Sequence, residues 1–317
     1  MPLFLLKEFG KFWATTPGAH RICLTSVRFR VTLRLGAFSE KNQGSEQMEI
    51  LDFRVRPRTE WFYRNLVPKP IPEFERYCSL YHGHPRFGIA SFEQSIQDMA
   101  EFGITKGLIF AGDAPGNKIV ADTCEEHEAY VGLAGVRPDH GITQAVKDLR
   151  HAFENLGLRG LNISPYITGL YATDEKNYPL YALCDELGRC IVSHTSVHYN
   201  PLKRIDFGDP RYLDQVAVDF PDLTIVMAHA GYGFGDLGLM VANRHENVYI
   251  DFTGLHPRIL PKDTIRMING HLRHKSIFGT NYPCLDYSVV EDWKKVIDEK
   301  NQPNFFYKNA AHVLGIE

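Results

Sequence analysis

Leu223-Thr224-Ile225-Val226-Met227-Ala228, followed at once by His229-Ala230-Gly231, is the stretch on which the fold turns. A strand with one wet face alternates apolar and polar residues, whereas this run is apolar almost throughout and so is covered on both faces, as in a parallel sheet with helices packed over it. Working outward, seven more short β-rich runs punctuate the chain, at 49–55, 106–111, 130–136, 159–163, 190–194, 248–252 and 276–279. Between them lie helix-length segments with apolar residues at i, i+3 and i+4, such as Phe92, Ile96, Met99 and Phe102, or Ile142, Val146, Leu149 and Phe153, or Leu180, Leu183, Cys184 and Leu187. Eight strands with crossover helices predict an α/β chain closed into a (β/α)8 TIM barrel, with an open doubly wound sheet as the alternative.

Composition narrows the partners. The 317 residues are 44% hydrophobic, enough for a large core, and 35 basic residues against 38 acidic ones leave a net charge of −3 with no field that favours nucleic acid or a membrane. A small molecule is the expected partner, and a homodimer is an assembly the chain allows. Cys23, Cys78, Cys124, Cys184, Cys190 and Cys284 lack CxxC spacing, so they read as reduced thiols in a cytoplasmic protein. Every apolar run is strand-sized, so no transmembrane helix is expected. The strand pattern starts only after Met48, which divides the chain into a 1–47 extension and a 48–317 barrel domain. In the first 39 residues, Lys7, Lys11, Arg21, Arg28, Arg30 and Arg34 face one acid, Glu8, a composition that reads as disordered or as a mitochondrial or plastid transit segment. The Pro-, Tyr- and Phe-rich stretch 58–91 is too long for an ordinary loop and is expected over the barrel mouth.

Catalytic groups in such a barrel sit where strands end, so the polar residues closing each apolar run are the candidates. They are Asp52-Phe53-Arg54-Val55-Arg56-Pro57, Ser193-His194-Thr195, His229, Asp251-Phe252-Thr253-Gly254, and Thr280-Asn281-Tyr282-Pro283. Alternation puts Arg54 and Arg56 on one face, opposite Phe53 and Val55, where two guanidiniums could grip a carboxylate; the competing reading pairs them with Asp251 and Glu60. His194 and His229 suit general acid or base work, against the plainer role of hydrogen-bonded core histidines. Asp251 either orients a histidine or neutralises an arginine, while Asn281 and Tyr282 read as donors to substrate. His82-Gly83-His84 has metal-pair spacing but lies in a loop, and His194 and His198 need not face one point. His256, His271, His274 and His312 read as surface or capping residues. No Walker or GxSxG motif occurs.

The ordered fragments Ile50-Leu51-Asp52-Phe53, Tyr178-Pro179-Leu180-Tyr181, Phe220-Pro221-Asp222-Leu223 running into Ala228-His229-Ala230-Gly231, Val248-Tyr249-Ile250-Asp251, Phe278-Gly279-Thr280-Asn281-Tyr282-Pro283 and Lys308-Asn309-Ala310-Ala311 resemble the amidohydrolase-related family over 48–317. That branch includes aminocarboxymuconate semialdehyde decarboxylase, related aromatic decarboxylases and dicarboxylate lactonases. The resemblance implies one metal held by a His-x-His pair on the first strand, a histidine after the fifth, often one after the sixth, and an aspartate on the eighth. Here His194 and His229 match, but Arg54 and Arg56 replace the His-x-His pair and Asn281 replaces the aspartate, as in a divergent subgroup. A guanidinium has donors only and repels a dication, whereas catalytic zinc normally takes three protein ligands. No tightly bound cofactor is therefore expected; zinc, if bound, would fall to His194 and His229.

The leading expectation is a hydrolase for a small carboxylated ester, lactone or amide, with Arg54 and Arg56 on the anion, Tyr282 and Asp251 beside it, and His194, His229 and Asn281 doing the chemistry. Non-oxidative decarboxylation of a small unsaturated or aromatic acid is the alternative. An inactive barrel that binds an anion is the third reading.

Overall fold

In the computed structural model the described residues are 48–60, 62, 89–198, 200 and 202–316. The 1–47 extension, His82-Gly83-His84 and most of 58–91 lie outside them.

All eight expected strands form: β1 (Ile50–Asp52), β2 (Ile104–Phe110), β3 (Tyr130–Leu133), β4 (Gly160–Ile163), β5 (Cys190–His194), β6 (Ile225–Ala228), β7 (Val248–Asp251) and β8 (Ser276–Ile277). Every pairing is parallel and follows chain order, in ladders β1-β2-β3 and β4-β5-β6-β7-β8. Short contacts join the ladders. The Ala134 carbonyl accepts from Asn162 N–H (2.7 Å) and Ala134 N–H donates to Gly160 (2.8 Å), while Phe53 N–H donates to the Phe278 carbonyl (3.1 Å) and so links β1 to β8. The result is the (β/α)8 TIM barrel that the strand pattern predicts.

Side-chain alternation sorts the strands into two buried clusters. Leu51, Leu108, Val131, Leu133, Val192, Val226, Ala228 and Ile277 fill the interior, where residues of the last helix, Ala310, Val313 and Leu314, join them. Ile50, Ile109, Leu161, Ile191, Ile225 and Ile250 face outward into a larger cluster with Leu149, Val216 and Trp293 of the surrounding helices. Each such side chain, fully buried, contributes roughly 1.5–3 kcal/mol. Two of the helices begin on side-chain caps: Asp113 Oδ1 accepts from Gly116 N–H (3.0 Å) ahead of Ala114–Glu126, and Asp209 Oδ1 from Arg211 N–H (3.0 Å) ahead of Pro210–Asp219. No helix among the described residues is long and apolar enough to cross a membrane.

One expected alternation fails. Phe53 packs with the interior cluster and Val55 with the outer one, because the regular β1 ladder stops at Asp52 and the chain turns before Val55 reaches the Leu108 carbonyl (2.9 Å).

Candidate functional site

The C-terminal strand ends meet in a cup with two unlike walls. On the β1 side, Arg54 and Arg56 stack over the same ring, Phe110 at the end of β2, with guanidinium carbons 4.3 and 5.4 Å from its centroid. Arg54 is 7% exposed; its Nη2 donates to Asn162 Oδ1 at the end of β4 (3.3 Å), and its buried Nε has no partner. Burial, and then the neighbouring Arg56 charge, lower its pKa to about 10, which leaves it cationic at neutral pH. Arg56 Nη1 donates to Asn281 Oδ1 (2.6 Å), and Arg56 N–H donates to the Tyr282 carbonyl (3.2 Å).

The other wall holds the two histidines. His194 closes β5 with the interior parity of Cys190 and Val192, so its direction follows from alternation. His229 does not follow: Val226 and Ala228 point inward, so the next residue would point out. Left-handed backbone at His229 (φ 64°) and Ala230 (φ 55°) turns the ring back, and the two imidazoles meet edge to face with centroids 4.7 Å apart. Non-glycine residues adopt that conformation at a cost of about 1–2 kcal/mol each, and here the Asp251 carboxylate accepts from His229 N–H (2.9 Å) to hold it. Gly279 lets β8 approach: a Cβ there would lie 2.2 Å from Thr253 Cγ2.

The electrostatics of the walls diverge. Burial, followed by the charges of His229, His198, Arg54 and Arg56, pushes His194 well below the usual imidazole range. Burial lowers His229 to about 4, with Asp251 opposing and the two arginines assisting. Both rings are neutral at pH 7. His229 Nδ1 faces the Thr253 carbonyl (2.7 Å), which can only accept, so Nδ1 carries the proton and Nε2 keeps a lone pair. Beneath them, Asp52 is fully buried; burial pushes its carboxyl up to about 7 against hydrogen bonds from Thr280 and Arg54 N–H.

Several expected roles change. Asn281, expected as a donor, has its amide engaged within the protein, accepting from Arg56 at Oδ1 and donating from Nδ2 to Cys284 Sγ (3.6 Å). Tyr282 is 4% exposed, its ring stacked on Tyr287 (4.2 Å, 10°) in the outer core; it reaches the site through its backbone carbonyl. Arg54 forms no ion pair with Asp251 among the described residues, although the Asp251 charge acts on it through space. His198, which spacing left apart, stacks on Tyr166 (4.5 Å) with its ring 5.3 Å from His194, because the loop after β5 is folded back by the Tyr166 hydroxyl donating to the Ser196 carbonyl (2.6 Å). His256 caps the turn at Pro257–Ile259, as expected. Phe110 and Asn162 were not singled out by sequence, although both carry the signal of interior parity at a strand's end; Asp52 and Thr253 stood in the candidate strand ends without an assigned role.

The residues present do not fit a family-type metal. Where the resemblance implies three further ligands, this chain offers two donor-only guanidiniums and an amide oxygen already bound to one of them, leaving two neutral imidazoles. Among the described residues no three His, Cys, Asp or Glu side chains gather as a metal site.

An uncharacterised TIM-barrel protein of Bordetella bronchiseptica superposes with a TM-score of 0.73 at 25% identity, covering 84% of this chain and 99% of its own. The 5-carboxyvanillate decarboxylase of Sphingomonas paucimobilis gives 0.62 at 14% identity, covering 86% and 100%. A dihydroxybenzoic acid decarboxylase of Polaromonas sp. JS666, with bound manganese and 2-nitroresorcinol, gives 0.60 at 14% identity, covering 85% and 97%. No curated protein matches. The family profile described as Amidohydrolase matches residues 50–316, so the chain belongs to the amidohydrolase family.

Proposed function

We propose that this protein hydrolyses an ester, lactone or amide bond in a small carboxylated molecule without a tightly held metal. The observation that carries the reading is the pairing of unlike walls: two fixed cations over Phe110 and two neutral imidazoles 4.7 Å apart, one with a defined lone pair. The substrate carboxylate binds the guanidiniums, whose paired N–H donors match its two oxygens. His229 Nε2 takes a proton from water as the water attacks the carbonyl; the developing oxyanion lies near the same positive wall, and the proton passes on to the leaving oxygen or nitrogen.

Non-oxidative decarboxylation is the second reading, favoured by the dryness that neutralises both histidines, since desolvation also destabilises a carboxylate relative to carbon dioxide. Hydrolysis leads because a guanidinium pair stabilises the very charge that decarboxylation must remove. A panel of carboxylated lactones, esters, amides and unsaturated or aromatic acids separates the two: new acid without gas supports hydrolysis, and carbon dioxide release rejects it. Binding without turnover across the panel points to an inactive anion-binding barrel.

A further inference from the structure

We propose that Asp251 and Thr253 form a positioning pair that fixes which nitrogen of His229 carries the proton, so that Nε2 is the basic atom facing the cup. This rests on the reading of His229 as the base, but the tautomer itself can be measured without any substrate.

The argument is one of donors and acceptors. Asp251 is fully buried, and its Oδ1 accepts from three donors: His229 N–H (2.9 Å), Thr253 N–H (3.0 Å) and the Thr253 hydroxyl. A hydroxyl has one hydrogen. With that hydrogen on Asp251, Thr253 Oγ1 can only present a lone pair to His229 Nδ1, 3.0 Å away. The Thr253 carbonyl presents another at 2.7 Å. Nδ1 therefore meets acceptors on both sides and must be N–H. The same carboxylate anchors the left-handed backbone that aims the ring inward. If the Thr253 hydroxyl turned away from Asp251, it could donate to Nδ1, and the proton of the neutral ring would move to Nε2, removing the base. Asp251 thus acts on the base through His229, and Thr253 is the switch between them.

Nitrogen NMR of histidine-labelled full-length protein at pH 7 tests this. Wild type and Thr253→Ser, which keeps the hydroxyl, should show a protonated Nδ1 and a bare Nε2 on His229. Asp251→Ala should raise the Nε2–H population at least several-fold and lower kcat with little change in KM. Thr253→Val keeps the carbonyl but removes the one hydroxyl that could donate to Nδ1, and should show the wild-type tautomer, alone and in combination with Asp251→Ala. Asp251→Ala showing the wild-type tautomer would overturn the proposal. Should Asp251→Ala not fold, Asp251→Asn decides: its amide can donate to Thr253 Oγ1 and turn the hydroxyl hydrogen toward Nδ1, so the Nε2–H population should rise, and the wild-type tautomer there overturns the proposal. If the tautomer shifts while no activity is found in any variant, the positioning role stands and the hydrolytic reading falls.

Discussion

The two walls of the cup meet the same burial and answer it oppositely. At the β1 end, desolvation lowers Arg54 only to about 10, so the charge survives. At the β5 to β7 ends, the same desolvation takes His229 to about 4 and His194 well below its ordinary value, so their charge is lost. A guanidinium starts so far above neutrality that burial cannot discharge it, whereas an imidazole starts beside it. The same burial thus sorts the basic groups into fixed cations and neutral rings with lone pairs, which the proposed function uses for binding and for reaction.

The most severe way to break that comparison is to remove the reactive wall. His229→Ala is expected to lower kcat by roughly 100- to 10,000-fold, as for loss of a general base, while the affinity for product-like carboxylates, read by calorimetry, stays within a few-fold. In wild type, kcat/KM should hold level through pH 6.5 and fall only as His229 protonates near pH 4; a fall centred on 6.5 would show that burial does not neutralise the ring.

Removing the binding wall should have a smaller and different effect. Arg54→Met and Arg56→Met are each expected to weaken carboxylate binding by roughly 10- to 100-fold, the worth of a charge-assisted hydrogen bond. Arg56→Met should also release Asn281, since the 2.6 Å bond between them is lost. Equal losses in kcat and none in affinity would place the arginines in the chemistry instead.

The smallest effect is on stability. His229 binds a proton at 6.5 when unfolded but at about 4 when folded, so its contribution is complete above 6.5 and lost as pH falls toward 4. That amounts to roughly 3 kcal/mol at about 1.4 kcal/mol per pH unit. Asp52 works the other way: its folded value of about 7 exceeds the ordinary 3.8, so its contribution is complete below 3.8 and lost as pH rises through 7. The two nearly cancel, and His194, displaced in the same direction as His229, decides the sign. The urea midpoint should therefore fall modestly between pH 7 and pH 4.5; a rise would mean that Asp52 dominates.

The same contrast explains what sequence could show. All eight strands were legible because runs covered on both faces repeat with helix-length spacing; Arg54 and Arg56 do come together over Phe110, although the alternation that predicted it breaks after Asp52. His194 was legible by parity alone. The inward turn of His229 was not, because it depends on two residues in left-handed backbone that nothing in Ala228-His229-Ala230-Gly231 demands without Asp251 opposite. The place of Asn162 and Thr253 at strand ends was legible but their roles were not, since these arise from atoms that come together only on closure, Arg54 Nη2 in one case and His229 Nδ1 in the other. Tyr282 misled because a tyrosine at a strand end reads as a site residue until its ring is found against Tyr287.

Elemental analysis of the purified protein, with activity or carboxylate affinity measured before and after chelation, tests the cation wall most directly. Well under one zinc or manganese per chain, and unchanged behaviour after chelation, is the expected result. One metal per chain, lost together with activity on chelation and restored with it, would contradict the reading that Arg54 and Arg56 have turned this cup from binding a dication to binding an anion.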